Sequence, residues 1–286
     1  MKKIGLPLLL IASSLGVTHS VNAKDHNYPT DIIVTNQNGL FKNGMYVQWG
    51  YNVEHYTNSN IHFKFSNGDN FTVHNAKAQD RPDFDNIYKT PKDITIPQYN
   101  LRIGFYLNPK KTKSLEINFD HTKYVVTDYQ TVKVTGNING QEVNQYMNLD
   151  PDNFLHFEHS DGANFLLINY VSHHTLLEND HKKVLTGLWK AGAGINIPRS
   201  DIRYKGDHLN NKFKVAGVNV AVEGDIRGYL TRHLFLEAGA KAGYARYINA
   251  AANTTALKGS RANHGFGYLE FIGTLGCDIN WSRRAK

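Results

Sequence analysis

From Met45 onward, apolar and polar residues alternate with a period of two in segment after segment of the chain. The closing stretch, Gly265 to Trp281, shows this most fully. Leu269, Phe271, Leu275, Cys277, Ile279 and Trp281 share one face with Gly273. Tyr268, Glu270, Thr274, Asp278 and Asn280 share the other, with Ile272 and Gly276 as exceptions. A period of two over that length describes a strand with one apolar and one polar face. Met45, Val47, Trp49, Tyr51 and Val53 alternate in the same way with Tyr46, Gln48, Gly50, Asn52 and Glu54, and mark the first strand.

Further strands follow between these two. The second covers 98–107, with Leu101, Ile103, Phe105 and Leu107 opposite Arg102, Gly104 and Tyr106. The third sets Leu115, Ile117 and Phe119 against Glu116, Asn118 and Asp120, and ends near Val126. The fourth runs from Phe165 to about Leu176, and its alternation leaves the facing open. In the fifth, Leu185, Trp189, Ala191, Ala193, Ile195 and Ile197 oppose Thr186, Lys190, Gly192 and Asn196. The sixth sets Ala216, Val218, Val220, Val222 and Ile226 against Asn219, Glu223, Asp225 and Arg227. The seventh sets Leu234, Leu236, Ala238, Ala240, Ala242 and Tyr244 against Glu237 and Lys241.

The connections have a rhythm. Short polar turns at 108–113, 178–183 and Thr231-Arg232 alternate with longer excursions at 59–96, to about 163, at 198–212 and at 249–263. A soluble sandwich with an edge strand at the C-terminus is one all-β solution. Loops this long inside a compact domain argue against it, whereas a membrane barrel needs short turns on one side and long loops on the other. The pattern predicts an all-β fold: an eight-stranded antiparallel up-and-down transmembrane β-barrel with short periplasmic turns and long extracellular loops. The count becomes ten strands if Phe154–His159 pairs separately.

The N-terminus sets the compartment. Lys2 and Lys3 precede the apolar run Ile4 to Leu15, followed by Gly16 and the small-residue end Val21-Asn22-Ala23. This predicts a Sec-exported chain cleaved after Ala23. The expected organisation is a signal peptide at 1–23, a periplasmic lead-in at 24–43, the barrel at 44–281 and a tail at 282–286. No later apolar run reaches the length of a transmembrane helix, and an exported chain without one can still span a membrane as a closed barrel. An aromatic residue at the end of the closing strand resembles the last strand of bacterial outer-membrane barrels. The 16 Tyr, 14 Phe and 24 Gly and the low mean hydropathy suit strands that meet lipid with alternate residues. The formal charge of +7 is scattered without a basic run, so nucleic-acid binding is not expected. Cys277 is the single cysteine, which excludes an internal disulfide.

The polar faces carry Arg102, Lys190, Arg227 and Lys241 against Glu116, Asp120, Glu223, Asp225, Glu237, Glu270 and Asp278. An eight-stranded interior is just wide enough for side chains to fill it, so the expectation is an ion-paired plug and no porin channel. Candidate chemistry lies where strands meet long loops: Phe119-Asp-His-Thr-Lys-Tyr124, His156-Phe-Glu-His-Ser-Asp-Gly162 and Pro198-Arg-Ser-Asp201. Histidine, serine and carboxylate together are what acyl transfer needs. The candidate catalytic residues are His121, His159, Ser160, Asp161 and Asp120. Chance pairings are common in a chain with 14 His, and Ser160-Asp-Gly-Ala163 also reads as a plain turn. Phosphate-loop, CxxC and zinc-ligand spacings are missing, and no cofactor is expected.

The segments Tyr56-Thr-Asn-Ser-Asn-Ile-His-Phe63, Asp120-His-Thr-Lys-Tyr124 and Glu158-His-Ser-Asp-Gly-Ala163 resemble a family of uncharacterised bacterial outer-membrane barrels. The resemblance implies a fold and a location, the outer membrane of a Gram-negative bacterium, and no activity. A fainter similarity is to the lipid A 3-O-deacylases, eight-stranded barrels with a His-x-Ser motif near the C-terminus. Here His159 and Ser160 are adjacent and lie mid-chain. Two functions are expected. One is a non-enzymatic surface protein whose loops contact ligand, host or lipopolysaccharide. The other is a lipid A-modifying hydrolase using the rim cluster. Expected partners are outer-membrane lipid, lipopolysaccharide and the barrel-assembly machinery, with the chain as a monomer.

Overall fold

The computed structural model describes residues 42–85, 89, 94–95, 97–179 and 182–280. The expected signal peptide, most of the lead-in, Trp281 and the tail 282–286 lie outside the described residues. Among the described residues, no helix is long and apolar enough to cross a membrane. In chain order the strands are β1 (Met45–Tyr56), β2 (Ser59–Lys64), β3 (Asn70–Ala76), β4 (Ala78–Gln79), β5 (Tyr99–Tyr106) and β6 (Lys113–His121). Then come β7 (Tyr124–Val126), β8 (Thr131–Ile138), β9 (Gln141–Asn148), β10 (Leu155–His159), β11 (Phe165–Asn179) and β12 (Lys182–Asn196). The remainder are β13 (Asp201–Tyr204), β14 (Asp207–Asn210), β15 (Gly217–Tyr229), β16 (Leu234–Ala251) and β17 (Arg261–Ile279).

One antiparallel ladder runs β1–β5–β6–β11–β12–β15–β16–β17. Its last strand also pairs with its first, from Met45↔Ile279 to Tyr56↔Tyr268, so the ladder returns to its start. Beyond that seam β17 pairs with β2, from Asn263↔His62 to Arg261↔Lys64, and β3, β8 and β9 extend the sheet. A second sheet has the order β14–β13–β10–β7–β4.

The described strands are thus more numerous than the sequence pattern predicts, because segments expected as loops pair into two sheets. β6 stops at His121, and Tyr124–Val126 crosses into the second sheet as β7. The Phe154–His159 segment does form a strand, β10, but between β13 and β7 and not in the ring of long strands. The open facing of the fourth predicted strand is settled. Ile168 and Tyr170 are exposed, while Phe165, Leu167, Asn169 and Val171 point inward.

Side chains on the two faces of the long strands are sorted in an inverted sense. The outer face exposes apolar residues, with Trp189 69% exposed, Val222, Ile226 and Leu275 more than half exposed, and Trp49 half-buried among them. The inner face holds buried charges. Arg102 lies beside Glu223, with its Nη2 3.2 Å from Oε2, and its Nη1 is 3.6 Å from Glu237 Oε1. The Lys190 ammonium is 2.8 Å from Glu237, 3.0 Å from Glu223, 3.1 Å from Asp225 and 3.5 Å from Glu116. Lys241 reaches Asp120 at 2.5 Å and Glu270 at 2.9 Å, and Arg227 reaches Glu237 at 2.7 Å. Near the short turns the interior is filled by Tyr46, Tyr106 and Phe235. Gly104 and Gly276 make room for them. A Cβ at Gly104 would lie 2.0 Å from the Tyr46 ring, and one at Gly276 would lie 2.3 Å from Phe235.

Towards the long connections the packing changes character. Ile61, Phe63, Phe65, Phe71, Val73, Val132 and Val134 of the extended sheet meet Leu155, Phe157, Ile202 and Tyr204 of the second sheet in one apolar core. Phe65 stacks on Tyr204 with ring centroids 4.0 Å apart, and Phe63 meets Phe157 edge-on at 5.2 Å. Asp69, in the β2–β3 turn, ties the two sheets together. It accepts hydrogen bonds from Tyr204 Oη at 2.7 Å, Lys205 Nζ at 2.8 Å and the Asn139 amide at 2.6 Å. Burial opposes the charge, but these bonds hold the Asp69 carboxyl well below its usual range. We refer to this layer as the cap.

Lys190 is the cation shared by most of the interior carboxylates, so its loss leaves buried charge unpaired. Lys190→Met is expected to cost about 3–5 kcal/mol, read as a lowered urea midpoint of the folded protein. A cost below about 1 kcal/mol, the range of an exposed pair, would contradict this placement.

Candidate functional site

The candidate residues do not share one surface, and for the paired neighbours strand parity is the reason. In β10 the odd positions Leu155, Phe157 and His159 enter the cap core, and the even positions His156 and Glu158 take the opposite face. Ser160 continues that second face. Its hydroxyl donates to Glu158 Oε1, not to a histidine. His159 and Ser160, adjacent in sequence, therefore point away from each other.

His159 is fully buried. Its Nε2 lies 3.1 Å from His264 Nε2, and its ring packs against Tyr247 at 4.9 Å and Phe157 at 4.9 Å. Burial pushes its pKa down to about 3, so the ring is neutral at physiological pH. Asp120 and His121 are likewise split by parity. Asp120 is fully buried inside the ring of long strands, held by Lys241 and by Asn118 at 2.8 Å. His121 lies on the outer side, with its Nδ1 2.8 Å from Asn164 Oδ1 and its ring stacked on Tyr99 at 5.1 Å. Asp161 pairs with Arg199 at 3.4 Å and accepts a hydrogen bond from Asn210. Of the five, none shares a hydrogen bond with another among the described residues.

What the structure does assemble is a different cluster. His156 Nδ1 is 2.7 Å from Asp128 Oδ1, and its Nε2 is 3.5 Å from Glu158 Oε2. Arg81 reaches the same Glu158 oxygen at 3.1 Å, and Ser160 reaches the other. Burial opposes the imidazolium, but the hydrogen bonds to Glu158 and Asp128 outweigh it and push His156 up to about 9. Glu158 is likewise opposed by burial, yet His156, Ser160 and Arg81 lower it to about 2. An imidazole already protonated at neutral pH is no general base, and a carboxylate with so low a pKa is a weak one. The arrangement suits an ion-paired lock between β10, the 127–130 turn and the segment after β4. His156 lies in a segment that the sequence marks for chemistry but outside the candidate catalytic set, and Asp128 and Arg81 lie in neither. The available signal was spacing: His156, Glu158 and Ser160 lie two apart and share a face.

Among the described residues Glu223, Asp225 and Glu237 bring carboxylate oxygens within 4.8 Å of one another, as a metal site would. Lys190 stands among them at 2.8–3.1 Å and supplies the positive charge itself.

The lock has a pH signature. A histidine raised from 6.5 to about 9 contributes stability that is complete below about 6.5 and is lost as pH rises through about 9. Glu158, lowered from 4.5 to about 2, contributes stability that is complete above 4.5 and is lost as pH falls through about 2. The cluster is part-exposed, so screening holds the effect to about 1 kcal/mol. Hydrogen exchange of the β10 amides is expected to separate wild type from His156→Asn at pH 6 and to bring them together by pH 10. An undiminished difference at pH 10 would show that packing, not charge, carries it.

No family model matches the chain, and no curated protein matches it. Solved structures of outer-membrane β-barrels are similar to it at low levels. The outer membrane protein AlkL is 12% identical with a TM-score of 0.37, over 92% of this chain and all of that one. The outer membrane protease OmpT from Escherichia coli is 9% identical with a TM-score of 0.36, over 83% of this chain and 97% of that one. Neisserial surface protein A is 11% identical with a TM-score of 0.32, over 79% of this chain and 96% of that one.

Proposed function

We propose that the chain is an integral protein of a Gram-negative outer membrane. In this reading the eight long strands close into a transmembrane barrel with a plugged lumen, and the cap stands outside the cell to contact ligands, host surfaces or lipopolysaccharide. The observation that carries the reading is the inverted sorting of side chains. Val218, Val220, Val222 and Ile226 of β15 are more than half exposed, while Asp225 and Arg227 on its other face are 5% and 0% exposed. A water-soluble ring would bury the valines, whereas in lipid an apolar outer face and a polar interior are the stable arrangement. The returning ladder leaves no unpaired backbone edge for the bilayer to solvate. Aromatic residues on the outer face support the same reading, with Trp49 in contact with both Tyr51 and Tyr99, and Tyr244 on β16.

The plugged lumen follows from its contents. Arg102, Lys190, Arg227, Lys241 and their carboxylates occupy the middle, and Tyr46, Tyr106 and Phe235 occupy one end. Contact is favoured over hydrolysis because Ser160, the candidate nucleophile, has a carboxylate partner and, among the described residues, no histidine base.

Leu275, 53% exposed on the outer face, and Thr274, 4% exposed on the inner one, test the reading side by side. Leu275→Arg near mid-membrane is expected to cost about 2–4 kcal/mol and to reduce heat-modifiable folding into lipid vesicles, with Thr274→Ser much milder. Equal tolerance at both positions would place the outer face in water. Lipid A composition is expected to be the same in cells with and without the protein, and loss of an acyl chain only in its presence would restore the hydrolase.

A further inference from the structure

Above the apolar outer faces of β15 and β16, the segment Lys212-Phe213-Lys214-Val215 leads into β15 with all four residues exposed. Phe213 and Val215 are 51% and 56% exposed, and Ile248, whose amide donates to Ala216 O at 2.8 Å, is 57% exposed beside them. Arg246 lies on the same outer face of β16, opposite Val218 in register and two residues above Tyr244. The side chains of Lys212, Lys214 and Arg246 have no ion-pair partner among the described residues. The nearby Arg199 differs, since Asp161 neutralises it. A surface cleft of about 450 Å³ opens beside the two lysines, bounded by Asn210, Asn211 and Asn253. Asn211 and Asn253 bond to each other, whereas Asn210 Oδ1 has no hydrogen-bond partner among the described residues.

A solvated charged loop explains the lysines but not the three apolar side chains held in the open among them. Apolar groups interleaved with unpaired cations, at the upper limit of a lipid-facing surface, match the boundary between acyl chains and an anionic headgroup. On the outer-membrane reading proposed above, we propose that this corner binds the phosphorylated sugar headgroup of a lipid A molecule in the outer leaflet. Lys212, Lys214 and Arg246 hold phosphate, and Phe213, Val215 and Ile248 dip toward the acyl chains.

The test is native mass spectrometry of the full chain in detergent, with bis-phosphorylated lipid A and with the same lipid A after phosphatase treatment. Wild type is expected to retain the phosphorylated form at least tenfold better. The triple variant Lys212→Gln/Lys214→Gln/Arg246→Gln is expected to lose that tenfold preference, since the cations that attract the phosphates are gone. Lys133→Gln, an exposed lysine on β8 of the cap, is expected to keep it. Equal retention of both lipids by wild type, or an unchanged preference in the triple variant, would overturn the site. Heat-modifiable insertion of wild type into phosphatidylcholine vesicles separates the two proposals. Insertion without phosphate preference sinks this site alone, and failure to insert sinks both.

Discussion

Backbone closure is the constraint on which the rest of the proposed structure depends. A strand in hydrocarbon has no water to satisfy its amides and carbonyls, so every one must find another strand. The β1–β17 seam, in register from Met45 to Tyr56, turns a ladder with two open ends into one with none. Once the ring is closed, alternate residues have no choice of side. Those facing out meet the surroundings, which are lipid in the proposed reading, and those facing in share a space only wide enough for side chains. Polar groups confined there must satisfy one another, which is why Lys190 serves several carboxylates at once and Gln48, Asn52 and Asn100 fill the gaps between charges.

The molecule then changes its chemistry along its length. Tyr46, Tyr106 and Phe235 close one end, a lattice of ion pairs occupies the middle, and an aromatic core fills the cap. Tyr247 and Phe266 belong to that core although they sit on β16 and β17, so the longest strands run from the charged interior directly into the cap. The same continuity delivers Arg246 and Ile248 to the outer surface above the apolar face.

Much of the ring of long strands was legible in the sequence because its signal is long. Alternation over a dozen residues, as in Met45 to Glu54 or Leu269 to Ile279, fixes both the strand and its faces, and it sorted Arg102, Lys190, Arg227 and Lys241 to the interior. The cap was not legible for the opposite reason. Ile61, Phe63 and Phe65 alternate too, but over three positions before the turn at Asn67-Gly68, and β7 and β10 are shorter still. Strands that short are specified by the partners they meet across a core, and those partners lie far away in sequence, as Phe65 and Tyr204 show. The rim cluster misled for a related reason. Adjacency suggested His159 with Ser160, while the period of two, applied within β10, joins Ser160 to Glu158 and His156 and sends His159 into the core.

Closure is open to a direct measurement because the single cysteine lies on the seam. Val47 is the register partner of Cys277 across β1 and β17. Val47→Cys, folded in lipid vesicles and oxidised with copper phenanthroline, is predicted to form an intramolecular disulfide with Cys277 and to shift in non-reducing gels. Tyr51→Cys, whose register partner is Gly273, is predicted to leave both thiols free to react with maleimide. A folded Val47→Cys protein that keeps both thiols free, or one in which Tyr51→Cys cross-links equally well, would contradict the closed barrel.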